Sequence, residues 1–84
     1  MKIIFLNPGW EDYLYWQKND KKTLQKINNL NKEITRHPFE GWGKPILLKH
    51  NLHGWWSRRI NLEDRLVYKV ENDAVYILQC RYHY

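Results

Sequence analysis

Eighty-four residues, 43% of them hydrophobic and 15% aromatic, hold one modest core, which excludes both a second domain and a disordered chain and sets a single domain over 1–84. Fourteen Lys and Arg against nine Asp and Glu give a formal charge of +5 and a pI near 9.4, so the expected partners are acidic, nucleic acid first. The single cysteine, Cys80, excludes an internal disulfide and a zinc-finger type of metal site and fits a reducing cytoplasm.

The N-terminal MKIIFLNPGW has a short apolar run, too short for a signal-peptide core or a bilayer span. Ile3 to Leu6 read as a first strand, ended by Asn7, Pro8 and Gly9, with Asn7 as helix cap and Pro8 at the first helical position. Trp10, Tyr13, Leu14 and Gln17 follow at helical spacing. Asn19 and Asp20 break and recap the chain. A second helix then carries Leu24, Ile27, Leu30 and Ile34 on one stripe, with Lys21, Lys22, Lys26 and Lys32 outward, and closes at His37 and Pro38. The segment FEGWGKP is a loop, followed by a short apolar run from Ile46 to Leu48. Strands are expected over 52–60, 65–70 and 74–82, joined by polar turns at 61–64 and 71–73, which makes an antiparallel sheet. The fold class is therefore α+β, with two N-terminal helices on a mainly antiparallel sheet.

Side chains alternate across a strand, so parity separates the faces. Odd positions collect Ser57, Arg59, Arg65, Lys69, Gln79, Arg81 and His83. Even positions collect Trp56, Ile60, Leu66, Tyr68, Val70, Tyr76, Leu78, Cys80 and Tyr82, and are read as core. Arg58 on the even face, and Val67, Val75 and Ile77 on the odd one, break the pattern. The cationic face is either the solvated side of a half-covered sheet or a surface for an anion, and its arginines favour planar recognition of phosphate. A histidine side chain can donate or accept a proton, which makes His83 a candidate general acid. Trp10, Trp16, Trp55 and Trp56 are read as core or dimer-contact residues, while Trp42 stands in a glycine-rich loop.

The segments DYLYWQ, HPFEGWGKP, LKHNLHGWWSRRI, RLVY and the terminal CRYHY resemble the YoeB (Txe) branch of the RelE/ParE toxin superfamily, nearly end to end. The resemblance implies two helices backing a curved antiparallel sheet, and a homodimer neutralised by a YefM-type antitoxin. It also implies metal-independent cleavage of messenger RNA in the ribosomal A site by attack of the ribose 2′-hydroxyl. No cofactor is called for. On this basis Arg65 is the phosphate clamp, His83 the acid and Tyr84 a positioning group, while Lys49 and Arg59 hold the RNA backbone. Lys44 and Arg81 are added to the backbone contacts.

One position departs from the family pattern: Ile46 stands after GKP where the family has its glutamate base. Glu63 is the expected substitute, because an extended segment would put it on the face of Arg65; His50 is a poorer choice. Two other readings remain. A non-cleaving ribosome- or protein-binding module is favoured by Ile46. A gyrase poison of the ParE kind is disfavoured by a histidine so near an arginine clamp.

Overall fold

Asp20 divides the N-terminal helical region in two. Its carboxylate accepts the Thr23 N–H at 3.1 Å and the Thr23 hydroxyl at 2.8 Å, satisfying a donor that the first turn of a helix leaves free. These bonds hold the Asp20 carboxyl below its ordinary pKa. The computed structural model describes residues 1–84. Strand β1 (Lys2–Phe5) leads into helix α1 (Asn7–Asn19), and α2 (Lys21–Arg36) follows. The remaining strands are β2 (Ile46–Leu47), β3 (Trp56–Arg59), β4 (Arg65–Glu71) and β5 (Ala74–Gln79), with a single 3-10 turn at His50–Leu52 between β2 and β3.

The five strands form one sheet in the order β1-β5-β4-β3-β2, with β1 parallel to β5 and every other pair antiparallel. This is the α+β architecture read from the sequence. Ile27, Leu30 and Ile34 of α2 and Trp16 of α1 meet Ile60, Leu66, Tyr68, Val75, Ile77 and Cys80 in one core. Asn72 and Asp73, at φ of 53° and 58°, make the β4–β5 hairpin turn, where both central residues are left-handed to match the twist of the strands. No helix is long and apolar enough to cross a membrane.

Four expectations are corrected. The capping position of α1 is Leu6, not Asn7, and it makes no side-chain cap bond. Its backbone does the work: Leu6 N–H donates to Ile77 O at 2.9 Å and Leu6 O accepts from Trp10 N–H at 2.9 Å, so the chain passes straight from strand into helix. Strand β3 starts at Trp56 rather than Leu52, because the 3-10 turn and Gly54, at φ 90°, occupy the preceding residues. Strand β5 ends at Gln79, not Tyr82.

The parity of β5 is also inverted. Tyr68 lies opposite Ile77 but Val67 lies opposite Gln79, so Leu78 is an extra residue, a β-bulge. Val75 and Ile77 thus face the helices, Tyr76 shares the other face with Lys69, and Gln79 returns to that other face beside Val67. Gly9 is required by this packing: a Cβ there would stand 2.5 Å from the carbonyl oxygen of Ile77, so only glycine lets α1 lie this close to β5.

Arg58, the cation on the even face, is fully buried. Its guanidinium pairs with Glu33 of α2 and donates to the backbone oxygens of His37, Glu40 (2.8 Å) and Trp42 (3.1 Å). Its Nε donates to the Tyr68 hydroxyl at 3.1 Å, which in turn donates to Pro38 O at 2.6 Å. Burial raises the Tyr68 pKa, keeping that hydroxyl a donor. A buried charge is tolerated only when so fully bonded, and removing one partner strands the others. Arg58→Met is expected to lower unfolding stability by about 3–5 kcal/mol, read as a fall in urea midpoint. Arg58→Lys should recover only part of the loss, because an ammonium cannot fork between these acceptors.

Candidate active site

The face of the sheet opposite the helices carries one transverse row of side chains. Ile46 of β2 is in register with Ser57 of β3, Ser57 with Val67 of β4, and Val67 with Gln79 of β5, so these residues share a face. The next row toward the β3–β4 turn holds Arg59 and Arg65, also register partners. Two arginines directly opposite one another repel, and the fold answers with carbonyl oxygens. Arg65 Nη1 donates to the backbone oxygens of Asn61 (2.9 Å), Asp64 (3.1 Å) and Leu62 (3.3 Å). Its Nε and Nη2 groups make no protein hydrogen bond. The guanidinium is thereby fixed on one side and left with donors for an anion on the other, the planar fork that suits a phosphate.

The chain end reaches this face through a series of anchors. Trp16 Nε1 donates to Cys80 O at 2.7 Å, and Cys80 N–H donates to Asp12 Oδ2 at 3.0 Å. Tyr82 N–H donates to Asp64 Oδ1 at 2.7 Å, and Arg65 N–H donates to Tyr82 O at 2.9 Å. The last residues are therefore tethered at Tyr82 to the backbone at the start of β4 rather than frayed. Ser57 Oγ donates to the Tyr84 hydroxyl at 3.3 Å, and the rings of His83 and Tyr84 stack at 4.8 Å. Ser57 and Val67 are buried although they face away from the helices, and the returning chain end reaches Ser57 through the Tyr84 hydroxyl. His83 Nδ1 lies 3.1 Å from Tyr84 O. The Tyr84 oxygen only accepts, so Nδ1 is the donor of this contact, and Nε2 makes no protein hydrogen bond.

The other sequence-predicted residues divide. Arg59 and Lys44 are exposed and, with Lys26, border a groove of about 640 Å³ that also has Trp42 and Leu62 along it and no carboxylate. Lys49 is exposed just before the 3-10 turn. Arg81 does not join the cationic face: its guanidinium lies 3.3 Å from the ring centre of Tyr15 in α1 and 4.4 Å from that of Tyr82, on the helix side. The β5 bulge and the end of the strand at Gln79 break the alternation that had placed it with Arg59. Glu63 is likewise displaced. Its segment is bent, because Asn61 Oδ1 accepts the N–H groups of Glu63 (2.8 Å) and Asp64 (2.7 Å). Glu63 then lines a depression with Trp16, Asp20 and Thr23 of the helical layer, not the row holding Ile46. Ser57, Asp64 and the anchor Asp12 had no assigned site role from sequence, and Trp16 was read as a core or dimer-contact residue, with its bond to Cys80 unforeseen. Their partners are distant in the chain, and nothing in their own neighbourhood announces them.

Burial raises Asp12 above the ordinary carboxyl range, opposed by the Cys80 N–H and the Arg81 charge. The Cys80 thiol is fully buried and pushed up to about 12 by desolvation, with Asp12 and Asp64 adding to the shift.

Two helices on an open five-stranded sheet, with a basic face and a chain end returned across it, make the RelE/YoeB-like class of α+β fold. The same fold is found in the H87Q mutant of YafQ from Escherichia coli, at a TM-score of 0.83 and 15% identity. At higher identity, the YoeB/ParE toxin from Agrobacterium tumefaciens superposes with a TM-score of 0.97 at 43% identity over the whole of both chains. The YoeB dimer from Staphylococcus aureus gives 0.93 at 52%, covering 100% of this chain and 98% of that one. The YoeB toxin of Escherichia coli K12 is 58% identical over the full 84 residues of both proteins. The family model of the YoeB-like toxin of bacterial type II toxin-antitoxin systems matches residues 5–84. The chain belongs to that family and is a toxin of a type II toxin-antitoxin system.

The raised thiol fixes a pH dependence. A folded-state pKa of about 12 against the ordinary 9.0 means that the unfolded chain releases this proton first, so stability is full below pH 9 and falls as pH rises toward 12. Comparison of wild type with Cys80→Ala by denaturant midpoint should show this component of the alkaline loss only in wild type. Iodoacetamide at pH 8 should leave the native thiol unlabelled and modify it once the chain is unfolded.

Proposed function

We propose that this toxin is a metal-independent endoribonuclease that acts in the cytoplasm and cleaves messenger RNA in the ribosomal A site. The observation that carries the reading is the Arg65 guanidinium, braced on the turn carbonyls with free donors, beside a chain end pinned to its own backbone N–H. In the reaction the ribose 2′-oxygen forms a bond to the adjacent phosphorus and the bond from phosphorus to the 5′-oxygen breaks. The products are a cyclic phosphate and a 5′-hydroxyl. Arg65 binds the phosphate oxygens, on which charge grows in the transition state. His83, protonated at Nε2, gives that proton to the departing 5′-oxygen. Tyr84, held by Ser57, orients the nucleotide, and Lys44, Lys49 and Arg59 bind the RNA backbone.

No carboxylate stands on the row. Ile46 occupies the place opposite Ser57, and Glu63 is on the helix side. The 2′-hydroxyl proton therefore passes to solvent, and loss of a general base slows cleavage by about a hundredfold to ten-thousandfold. The clamp and positioning effects remain, so the reading is of a slow enzyme. The antitoxin is of the YefM type and the toxin is a homodimer, as supported by the Staphylococcus aureus YoeB–YefM complex and YoeB dimer.

A second reading has the protein occupy the ribosome or an acidic protein without cutting RNA, and Ile46 on the row favours it. Primer extension on message from cells making the toxin separates the two: defined ends within codons for the enzyme, none for the blocker. On programmed ribosomes Ile46→Glu should accelerate cleavage, and an unchanged rate would place the base elsewhere. His83→Ala should abolish cleavage at unchanged thermal midpoint; intact cleavage removes the acid.

A further inference from the structure

The chain changes sides of the sheet within its last residues. Cys80 is bonded to Trp16 and Asp12 of α1, and Arg81 lies over Tyr15 of the same helix. Tyr84 is on the opposite side, at Ser57. The change of direction falls at Tyr82, whose φ of 67° is left-handed. A bulky L residue rarely adopts that conformation, and it persists only where the surroundings over-determine it. Here both polar backbone groups of Tyr82 are taken by consecutive residues: its N–H by Asp64 Oδ1 at 2.7 Å, its C=O by Arg65 N–H at 2.9 Å.

Asp64 is itself immobilised. Its Oδ2 accepts from Asn61 Nδ2 at 3.0 Å, and its N–H donates to Asn61 Oδ1 at 2.7 Å. The same turn supplies the carbonyls that brace Arg65. One bend thus registers the two halves of the site against each other.

We propose that Asp64 is a positioning residue for His83 and Tyr84: its carboxylate holds Tyr82 in the left-handed turn that carries the chain end round to the sheet face that holds Ser57 and Arg65. The clamp is a structural statement about this chain; its consequence for rate rests on the nuclease reading. Asp64 is half-buried at a turn and belongs to no core cluster, so its loss frees the chain end without opening the interior. Displacement of a catalytic group by about 1 Å costs up to about a hundredfold in rate.

The test uses full-length wild type, Asp64→Ala and Asp64→Asn with two independent measurements. The first is backbone amide exchange and heteronuclear NOE of residues 82–84 in the isolated protein. The second is kcat and KM for message cleavage on programmed ribosomes. Asp64→Ala should lose protection at the Tyr82 amide and rigidity at His83 and Tyr84, keep its core amides protected, and lose tenfold to a hundredfold in kcat at nearly constant KM. Asp64→Asn keeps an oxygen for the Tyr82 N–H and should recover most of both. A Tyr82 amide still protected in Asp64→Ala overturns the proposal. So does a loosened chain end with wild-type kcat, or a loss of protection spread through the core. Wild type that leaves message intact sinks the nuclease reading and the catalytic purpose with it, while the NMR comparison still decides whether Asp64 holds the turn.

Discussion

A guanidinium with no access to water sets the geometry on which the rest depends. Arg58 cannot shed its charge, so its burial is stable only while Glu33, Tyr68 and the carbonyls of residues 37, 40 and 42 surround it. Satisfying those demands draws the glycine-rich loop onto the end of α2. Trp42 N–H also donates to Glu33 at 2.8 Å, and Gly43 O accepts from Arg59 N–H at 2.7 Å. The loop is thereby delivered to the edge of β3 in one register, and β2 begins with Ile46 opposite Ser57. A core interaction on one side of the sheet thus decides which residue stands in the row on the other side.

The helices reach the site by a different route. Trp16 and Asp12 take hold of Cys80 before the chain turns, so α1 contributes an indole N–H and a carboxylate to fixing residues that end up across the sheet. Gly9 is part of the same device, because α1 reaches Cys80 only by lying against the Ile77 backbone. Packing of the helical layer and order at the chain end are one property. The groups nearest the proposed chemistry hold no place in the core and depend on bonds made by residues that do.

The helices, the loop, the hairpin and the antiparallel order were legible in the sequence because each has a local signal: the stripe of Ile27, Leu30 and Ile34, the proline after His37, the polar pair Asn72 and Asp73. Arg65, Arg59 and Ser57 were legible as face-sharing residues because β3 and the start of β4 are regular; Ile46 stood out only through the family resemblance. Alternation failed where the backbone departs from it. The bulge at Leu78 exchanged the faces of β5, and Arg81, beyond the strand, went to the helix side. Glu63 was misplaced for a related reason: two bonds from one asparagine side chain bend a segment whose composition reads equally well as extended. Asp64 and the Trp16–Cys80 bond were silent because such roles exist only between residues far apart in the chain.

Magnitudes indicate where the site is weakest. Ordering a residue costs about 1–2 kcal/mol of backbone entropy, and a typical hydrogen bond contributes about 0.5–1.5 kcal/mol net. Cys80 and Tyr82 each have bonds at both backbone polar groups, enough to offset that cost. His83 and Tyr84 have a ring stack, one bond from Ser57 and one between themselves, and both side chains are exposed. The balance leaves them the least firmly held members of the candidate site. Under the proposed nuclease reading, a phosphate bound by Arg65 would add the missing contacts for an imidazole that needs to be in place only once the phosphate is there. Order at the chain end and occupancy of the clamp then reinforce each other.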